Sequence, residues 1–365
     1  MGSAALDHLS GRGAQVLGIE PYGIPHGHGS SGGDTRLIRK AYFEHPDYVP
    51  LLERAYANWR ALEDDTGEAL LHVTGALYLG VPEGELIAGS RRSATEYGLD
   101  LQAVDGVLLR REFPEFRAPP GYVALFEPEA GFLLCERAVR AQAERALRRG
   151  ADVAAGERLI DWRADGSAVR VTTDRASYAA GGLVITVGSW SSRLLAELGL
   201  PLQVTRQPLF WLQPARSPSF TLGRFPCWAV QRADASGLLY GFPALPGSMA
   251  SQLGVKLARH LPGEEADPDM PRRPATHDEL DDLLAAVTPF LPGLGGSLTG
   301  SRVCLYTGSA DGHFIVDVHP SHDNVVFACG FSGHGFKFAS VMGEVLADLI
   351  LAGSSLLPVG FLGLR

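Results

Sequence analysis

Residues 325–352 read Val-Val-Phe-Ala-Cys-Gly-Phe-Ser-Gly-His-Gly-Phe-Lys-Phe-Ala-Ser-Val-Met-Gly-Glu-Val-Leu-Ala-Asp-Leu-Ile-Leu-Ala. The apolar run 325–328 predicts a buried strand. It breaks at Gly330, Gly333 and Gly335, three residues free to take positive φ and to bring backbone close to a ligand. From Phe338 onward Val341, Met342, Val345, Leu346, Leu349 and Ile350 recur every three or four positions, so a helix with one buried stripe follows. A glycine-rich turn that opens a helix aims free N–H groups and the positive dipole end at one spot, and Lys337 adds a full charge there. The stretch therefore predicts an anion site. Three glycines taken alone fit an ordinary strand-to-helix turn equally well, and the lack of Gly-Lys-Ser/Thr excludes a phosphate-gripping P-loop.

At 365 residues the chain has room for two domains with sizeable cores, and 45% hydrophobic with 20% charged residues argues against disorder. A net charge of -9 without any long Lys/Arg tract makes nucleic acid a poor partner. Cys135, Cys227, Cys304 and Cys329 lie far apart with no Cys-x-x-Cys pair, against both a zinc site and a disulfide scaffold. No apolar run is long enough for a bilayer span, and the first residues lack the basic start and apolar middle of a signal peptide. A soluble cytoplasmic protein in a reducing compartment is expected, with no membrane partner.

Along the chain, residues 2–9 read as a helix stopped by Gly11 and Gly13, and 15–19 as a short strand ending in Glu20. Helix, strand and terminal acid are the second half of a dinucleotide-binding βαβ unit, in which the acid accepts hydrogen bonds from a ribose. Arg36 and Arg39 are three apart, hence on one face if helical, where two like charges repel unless solvated or sharing an anion. His26 and His28, in a glycine-rich loop without a third ligand, read as solvated and not as a metal site. Residues 47–62 form an amphipathic helix with Tyr48, Leu52, Ala55, Tyr56 and Trp59 inward, 71–79 a strand, and 136–149 a helix capped by Gly150. Val169, Val171 and Thr173 alternate like a strand near the surface, and 183–187 is continuous like a buried parallel one. Strands dominate 201–300, apart from a proline-rich loop at 261–274 and a helix whose Thr-His-Asp-Glu start at Thr276 is a capping box. In 254–260, Lys256, Ala258 and His260 share one strand face, and in 302–306 Cys304 and Tyr306 share another. Taken alone these are a snorkelling lysine, a structural histidine and a buried cysteine.

Residues 330–340, Gly-Phe-Ser-Gly-His-Gly-Phe-Lys-Phe-Ala-Ser, closely resemble the C-terminal motif of the monomeric sarcosine oxidase and N-methyltryptophan oxidase family, flavoenzymes that oxidise secondary amino acids. Gly-Asp-Thr-Arg-Leu-Ile-Arg (33–39), Phe-Glu-Pro-Glu-Ala-Gly-Phe-Leu (126–133), Leu-Tyr-Gly-Phe-Pro (239–243), the Lys256/His260 pair and Cys304 to Thr307 with 313–317 continue the likeness in the same order. The resemblance implies an α/β chain of two domains. A Rossmann-like FAD-binding domain would comprise residues 1–75, 135–205 and 310–365, and an inserted, mostly antiparallel substrate domain 76–134 and 206–309. It further implies FAD bound covalently through Cys304, with Gly2, Glu20, Arg36, Gly333, His334 and Gly335 contacting the cofactor. Arg39 and Lys337 would clamp the substrate carboxylate, Tyr240, Tyr306 and His260 would line the pocket, and Lys256 would promote the reaction with oxygen.

The implied reaction is oxidation of an N-methyl or cyclic amino acid to an imine, which hydrolyses to amine and aldehyde, with O2 reduced to hydrogen peroxide by a monomer. Rivals are a dehydrogenase passing electrons to a protein acceptor and a chain too short to hold FAD. The second arises because Gly2 matches only the last glycine of Gly-x-Gly-x-x-Gly, and the preceding strand does not appear. The start is expected to be an internal methionine of a longer chain, since no downstream motif is degenerate. Two departures concern the pocket: Gly32 stands where the family often has histidine, and the connection from Pro243 to Lys256 is longer than in relatives. Phe43-Glu44 is expected to shape the pocket mouth.

Overall fold

The apolar run at 325–328 becomes the middle of a three-stranded sheet. In the computed structural model, which describes every residue except 216, 235, 236, 261, 262 and 365, His322–Cys329 pairs parallel with Leu183–Ile185 and antiparallel with Ile315–His319. Val325, Val326 and Phe327 are fully buried, as expected of a strand with neighbours on both edges and packing on both faces. The chain then turns through a short 3-10 segment, Phe336–Phe338, into the helix Ala339–Ala352, closed by Gly353 in the left-handed region. That helix and Gly2–Gly11 cross so closely that a Cβ on Gly343 would lie 2.4 Å from the Ala4 carbonyl carbon.

A second parallel pair, Leu17–Glu20 with Asp152–Ala155, carries Glu20 at its carboxyl end. Among the described residues it shares no strand with the first sheet. Helix Cys135–Arg148 follows Gly131–Leu134 directly. The largest sheet runs Glu264–Glu265, Gln203–Pro214, Val255–His260, Leu238–Phe242, Cys227–Gln231, Ala76–Gly80, Val123–Glu127, Gln102–Val104, with Gly296–Gly308 also on Gln203–Pro214. Among its pairings in the described residues only Cys227–Gln231 with Ala76–Gly80 is parallel, and its helix His277–Val287 has the expected capping box at Thr276. The proline-rich loop begins at 261 and 262, outside the described residues.

Several local expectations are corrected. Arg36 lies in a strand, Thr35–Ile38, not a helix, so a spacing of three separates the two arginines instead of aligning them. Residues 71–79 are two strands, Leu71–Val73 and Ala76–Gly80, in different sheets. The break is Gly75, at φ 69°, where a Cβ would meet the Phe126 ring at 2.2 Å. Val169 and Val171 are buried, although the strand alternates as expected. His26 is not freely solvated: its Nε2 lies 3.3 Å from Glu20 Oε1 and its Nδ1 accepts from His28 N–H. No cluster suited to a metal ion occurs among the described residues, nor any helix long and apolar enough to cross a membrane.

Candidate active site

The turn at 330–337 is built by Gly330 (φ 64°), Ser332 (φ 48°) and Gly333 (φ 80°). Gly335 is not among them, with φ -79°; its lack of a side chain serves close packing, since a Cβ there would lie 2.5 Å from Phe331. Gly333 presses on the Tyr306 ring, which a Cβ would meet at 2.3 Å. This contact joins the C-terminal turn to the strand carrying Cys304 and Tyr306.

On one side of that contact lies a charged group around Arg39. Arg39 is 3% exposed, and its guanidinium donates from Nη2 to both Glu44 oxygens, at 2.8 and 2.7 Å. Burial alone would raise the Glu44 carboxyl, but Arg39, then His334 and Lys337, hold it at about 2. The arginine therefore already carries a carboxylate. Lys337 does not: Nζ donates to the His334 carbonyl at 2.8 Å and sits 5.1 Å from the Tyr42 ring centroid. Burial, then Arg39, push it down to about 7. His334 bridges Tyr42 Oη through Nδ1 and the Gly312 carbonyl through Nε2. A carbonyl only accepts, so the proton sits on Nε2 and Tyr42 donates to Nδ1; burial keeps this ring neutral, its pKa pushed down to about 3. The turn holding Arg39 is fixed by buried Glu127, which accepts from the Lys40 and Ala41 amides and from Tyr78 Oη.

On the other side lies a group around Cys304. Arg36 Nη2 is 3.0 Å from its Sγ and also donates to the Ser30 and Gly32 carbonyls, at 2.8 and 2.7 Å. Lys256, 2% exposed, donates to the carbonyls of Gly33 and Thr35, each at 2.6 Å, and lies 4.8 Å from the Phe242 ring centroid. Burial, then Arg36, push its amine down to about 7. Tyr306 shares a side-chain hydrogen bond with Tyr240, and its Oη lies 3.4 Å from His260 Nδ1. Burial pushes His260 down to about 4.

The structure thus brings together Arg36, Arg39, Tyr240, Lys256, His260, Cys304, Tyr306, Gly333, His334, Gly335 and Lys337. Gly2 and Glu20 stand apart from this cluster, Gly2 against Thr186 and Glu20 accepting from Tyr22 N–H at 3.0 Å. Sequence reasoning passed over Tyr42, Glu127 and Glu136, and gave Glu44 only a place at the mouth. Nothing in their spacing signals these contacts, because each partner comes from another element or across an irregular loop. Two buried lysines without a carboxylate at ion-pair distance among the described residues are costly to fold and mark a site built for an anion or for chemistry.

The comparisons agree. Residues 1–349 match the family described as FAD dependent oxidoreductase. The chain is 39% identical to a monomeric sarcosine oxidase of Streptomyces avermitilis over 99% of its length and 93% of that protein's. It is 34% identical to the N-methyl-L-tryptophan oxidase of Salmonella enteritidis, covering 97% and 93%. Its fold superposes on NikD, an amino acid oxidase essential for nikkomycin biosynthesis, with a TM-score of 0.85 at 24% identity, covering 100% and 94% of the two chains. The mixed α/β architecture of two parallel pairs beside a mostly antiparallel sheet is accordingly that of the amino acid oxidases. With a match running almost from end to end, the chain belongs to the FAD dependent oxidoreductase family.

Proposed function

We propose that this protein oxidises an N-methyl or cyclic secondary amino acid with O2, giving an imine that hydrolyses to amine and aldehyde, and releasing hydrogen peroxide. The observation that carries this reading is the charge balance at Arg39, Glu44 and Lys337. Arginine and glutamate cancel, and one buried ammonium is left for a substrate carboxylate. The names of the relatives point to the same substrate class.

The residues present fit FAD: buried cations await negative charge, Cys304 offers a sulfur beside Arg36, and Glu20 ends a parallel strand where an acid meets a ribose. When bound, FAD supplies acceptance of a hydride equivalent from the carbon next to the amine and return of the electrons to oxygen. Around it, Gly2 at a helix start, Glu20, Arg36, Gly333, His334 and Gly335 would hold the cofactor, with Cys304 as its covalent anchor. Lys337 pairs with the carboxylate, and Arg39, held by Glu44, helps to orient it from beside the lysine; Tyr240, Tyr306 and His260 line the pocket, His260 staying neutral and so available to accept a hydrogen bond. Lys256 places positive charge where oxygen is reduced. The domain division at 75, 134, 205 and 309, a monomeric state and a cytoplasmic location complete the proposal.

The chain, purified and supplied with sarcosine, N-methyltryptophan and pipecolate in turn, is expected to consume O2 and release an equal amount of peroxide with at least one of them. Turnover only with an artificial electron acceptor would favour a dehydrogenase and sink the oxidase reading. Two further results are expected. Acid precipitation should leave the yellow colour in the pellet, and Cys304→Ala should send it to the supernatant; colour in the supernatant from the unaltered chain would remove the covalent link. Binding of a simple carboxylate such as acetate should be independent of pH between about 5, where the ligand itself is ionised, and about 7, and weaken about tenfold per unit above that, because Lys337 must then take up a proton to pair with the ligand. Titration calorimetry across pH reads this directly, and a flat profile would release Lys337 from the clamp.

A further inference from the structure

Lys256 is held by one tight loop, and that loop is held by one carboxylate. Gly33 (φ 103°) and Asp34 (φ 63°) both lie on the left-handed side of backbone space, which is rare for a residue such as aspartate. In this conformation their amides converge on Glu136: Gly33 N–H donates to Oε1 at 2.7 Å and Asp34 N–H to Oε2 at 3.1 Å. The loop's oxygens serve Lys256 instead, the carbonyls of Gly33 and Thr35 at 2.6 Å and Thr35 Oγ1 at 3.3 Å. Glu136 stands in the first turn of helix Cys135–Arg148, where the helix dipole favours a carboxylate. The Cys135 amide returns a hydrogen bond to the Asp34 carbonyl at 2.8 Å, so loop and helix start are tied in both directions. Gly33 allows no side chain, as a Cβ would meet Leu209 at 2.7 Å.

We propose that Glu136 is a positioning residue for Lys256: its carboxylate fixes the loop whose oxygens seat the ammonium, and its negative charge supports the charged form in the oxygen step. This rests on the reading that Lys256 acts on oxygen. The groups facing Lys256 come from several elements: Arg36 from Thr35–Ile38, Cys135 and Glu136 from the helix start, and Cys304 from Gly296–Gly308. The rings of Phe242 and Trp211 lie on Val255–His260's two neighbouring strands. Asp34 belongs to the loop itself, its Oδ1 accepting from Ser251 N–H at 3.0 Å. Burial and Arg36 both press Lys256 toward the neutral amine, whereas Cys135, Cys304 and Glu136 oppose them. Arg302, 3.4 Å from Glu136 Oε1, partly offsets that opposition.

The test compares Glu136→Gln and Arg302→Gln in the FAD-loaded enzyme, following anaerobic reduction by substrate and reoxidation by O2 separately across pH. Glu136→Gln should slow reoxidation about tenfold near neutral pH and move its pH midpoint down by about one unit, with anaerobic reduction within about twofold. Arg302→Gln should move the midpoint the other way. Combined with Lys256→Met, Glu136→Gln should add no further loss. Independently of activity, amide hydrogen exchange across residues 30–38 should quicken in Glu136→Gln. An unmoved midpoint, equal slowing of both half-reactions, or losses that multiply with Lys256→Met would overturn the proposal. Should Glu136→Gln not fold, the opposite shift required of Arg302→Gln decides alone. Lys256→Met separates the two levels: equal slowing of both half-reactions defeats the underlying reading, whereas loss confined to reoxidation, with no midpoint shift in Glu136→Gln, defeats only this inference.

Discussion

Replacing Lys256 by Met is expected to slow reoxidation by O2 about 100- to 1,000-fold while anaerobic reduction by substrate changes less than about tenfold. The asymmetry follows from where the charge sits. Lys256 is seated on the 33–35 loop beside Cys304 and Arg36, away from the Arg39, Glu44 and Lys337 group that would take the carboxylate. A preformed positive charge in a buried site stabilises negative charge developing on oxygen without reorganising, and water screens it little. Methionine is unbranched and close to lysine in length, and it removes the charge together with the N–H donors. The Gly33 and Thr35 carbonyls then lose a donor, so a moderate drop in melting temperature is expected as well. Stopped-flow measurement of the two half-reactions checks the claim, and equal slowing of both would count against it.

Replacing Lys337 by Met should raise KM for the amino acid about 100-fold, equivalent to about 2.7 kcal/mol of lost ionic hydrogen bonding. The fold should tolerate it. A lysine without a carboxylate partner costs desolvation, and an apolar chain of the same length relieves that cost. Arg39→Met is expected to behave differently: it leaves Glu44 buried without its bidentate partner, at a cost of about 3 to 5 kcal/mol in stability. The double variant Arg39→Met with Glu44→Gln should recover most of that stability. Steady-state kinetics beside thermal denaturation separate the two effects. An Arg39→Met protein of unaltered stability would mean that the Arg39–Glu44 pair does not hold as described.

The sequence revealed most about elements with a period. The strand and helix around 325–352, the helix at 136–149 and the capping box at Thr276 were legible because one face is buried in each. The alternation that set Lys256 with His260, and Cys304 with Tyr306, also held, since a strand's geometry fixes it. Irregular backbone was not legible. The 33–39 segment offered two arginines at helical spacing, but positive φ at Gly33 and Asp34 turns it into a loop and strand that separate them. Positive φ fell on Ser332 instead of Gly335, because crowding by Phe331, not backbone freedom, accounts for that glycine. Glu127 and Glu136 were passed over for a related reason. Each acts on backbone or side chains reached through tertiary folding, and a lone acid carries no signal of that in its neighbours.

The most direct test of the central claim is an anaerobic titration of the purified chain with an N-methyl amino acid, following the visible flavin absorption and then admitting air. The account predicts that the yellow colour bleaches with one equivalent of substrate per flavin and returns on exposure to O2 with one equivalent of peroxide. A coloured protein that no secondary amino acid bleaches, or one whose colour returns in air without peroxide, would contradict it.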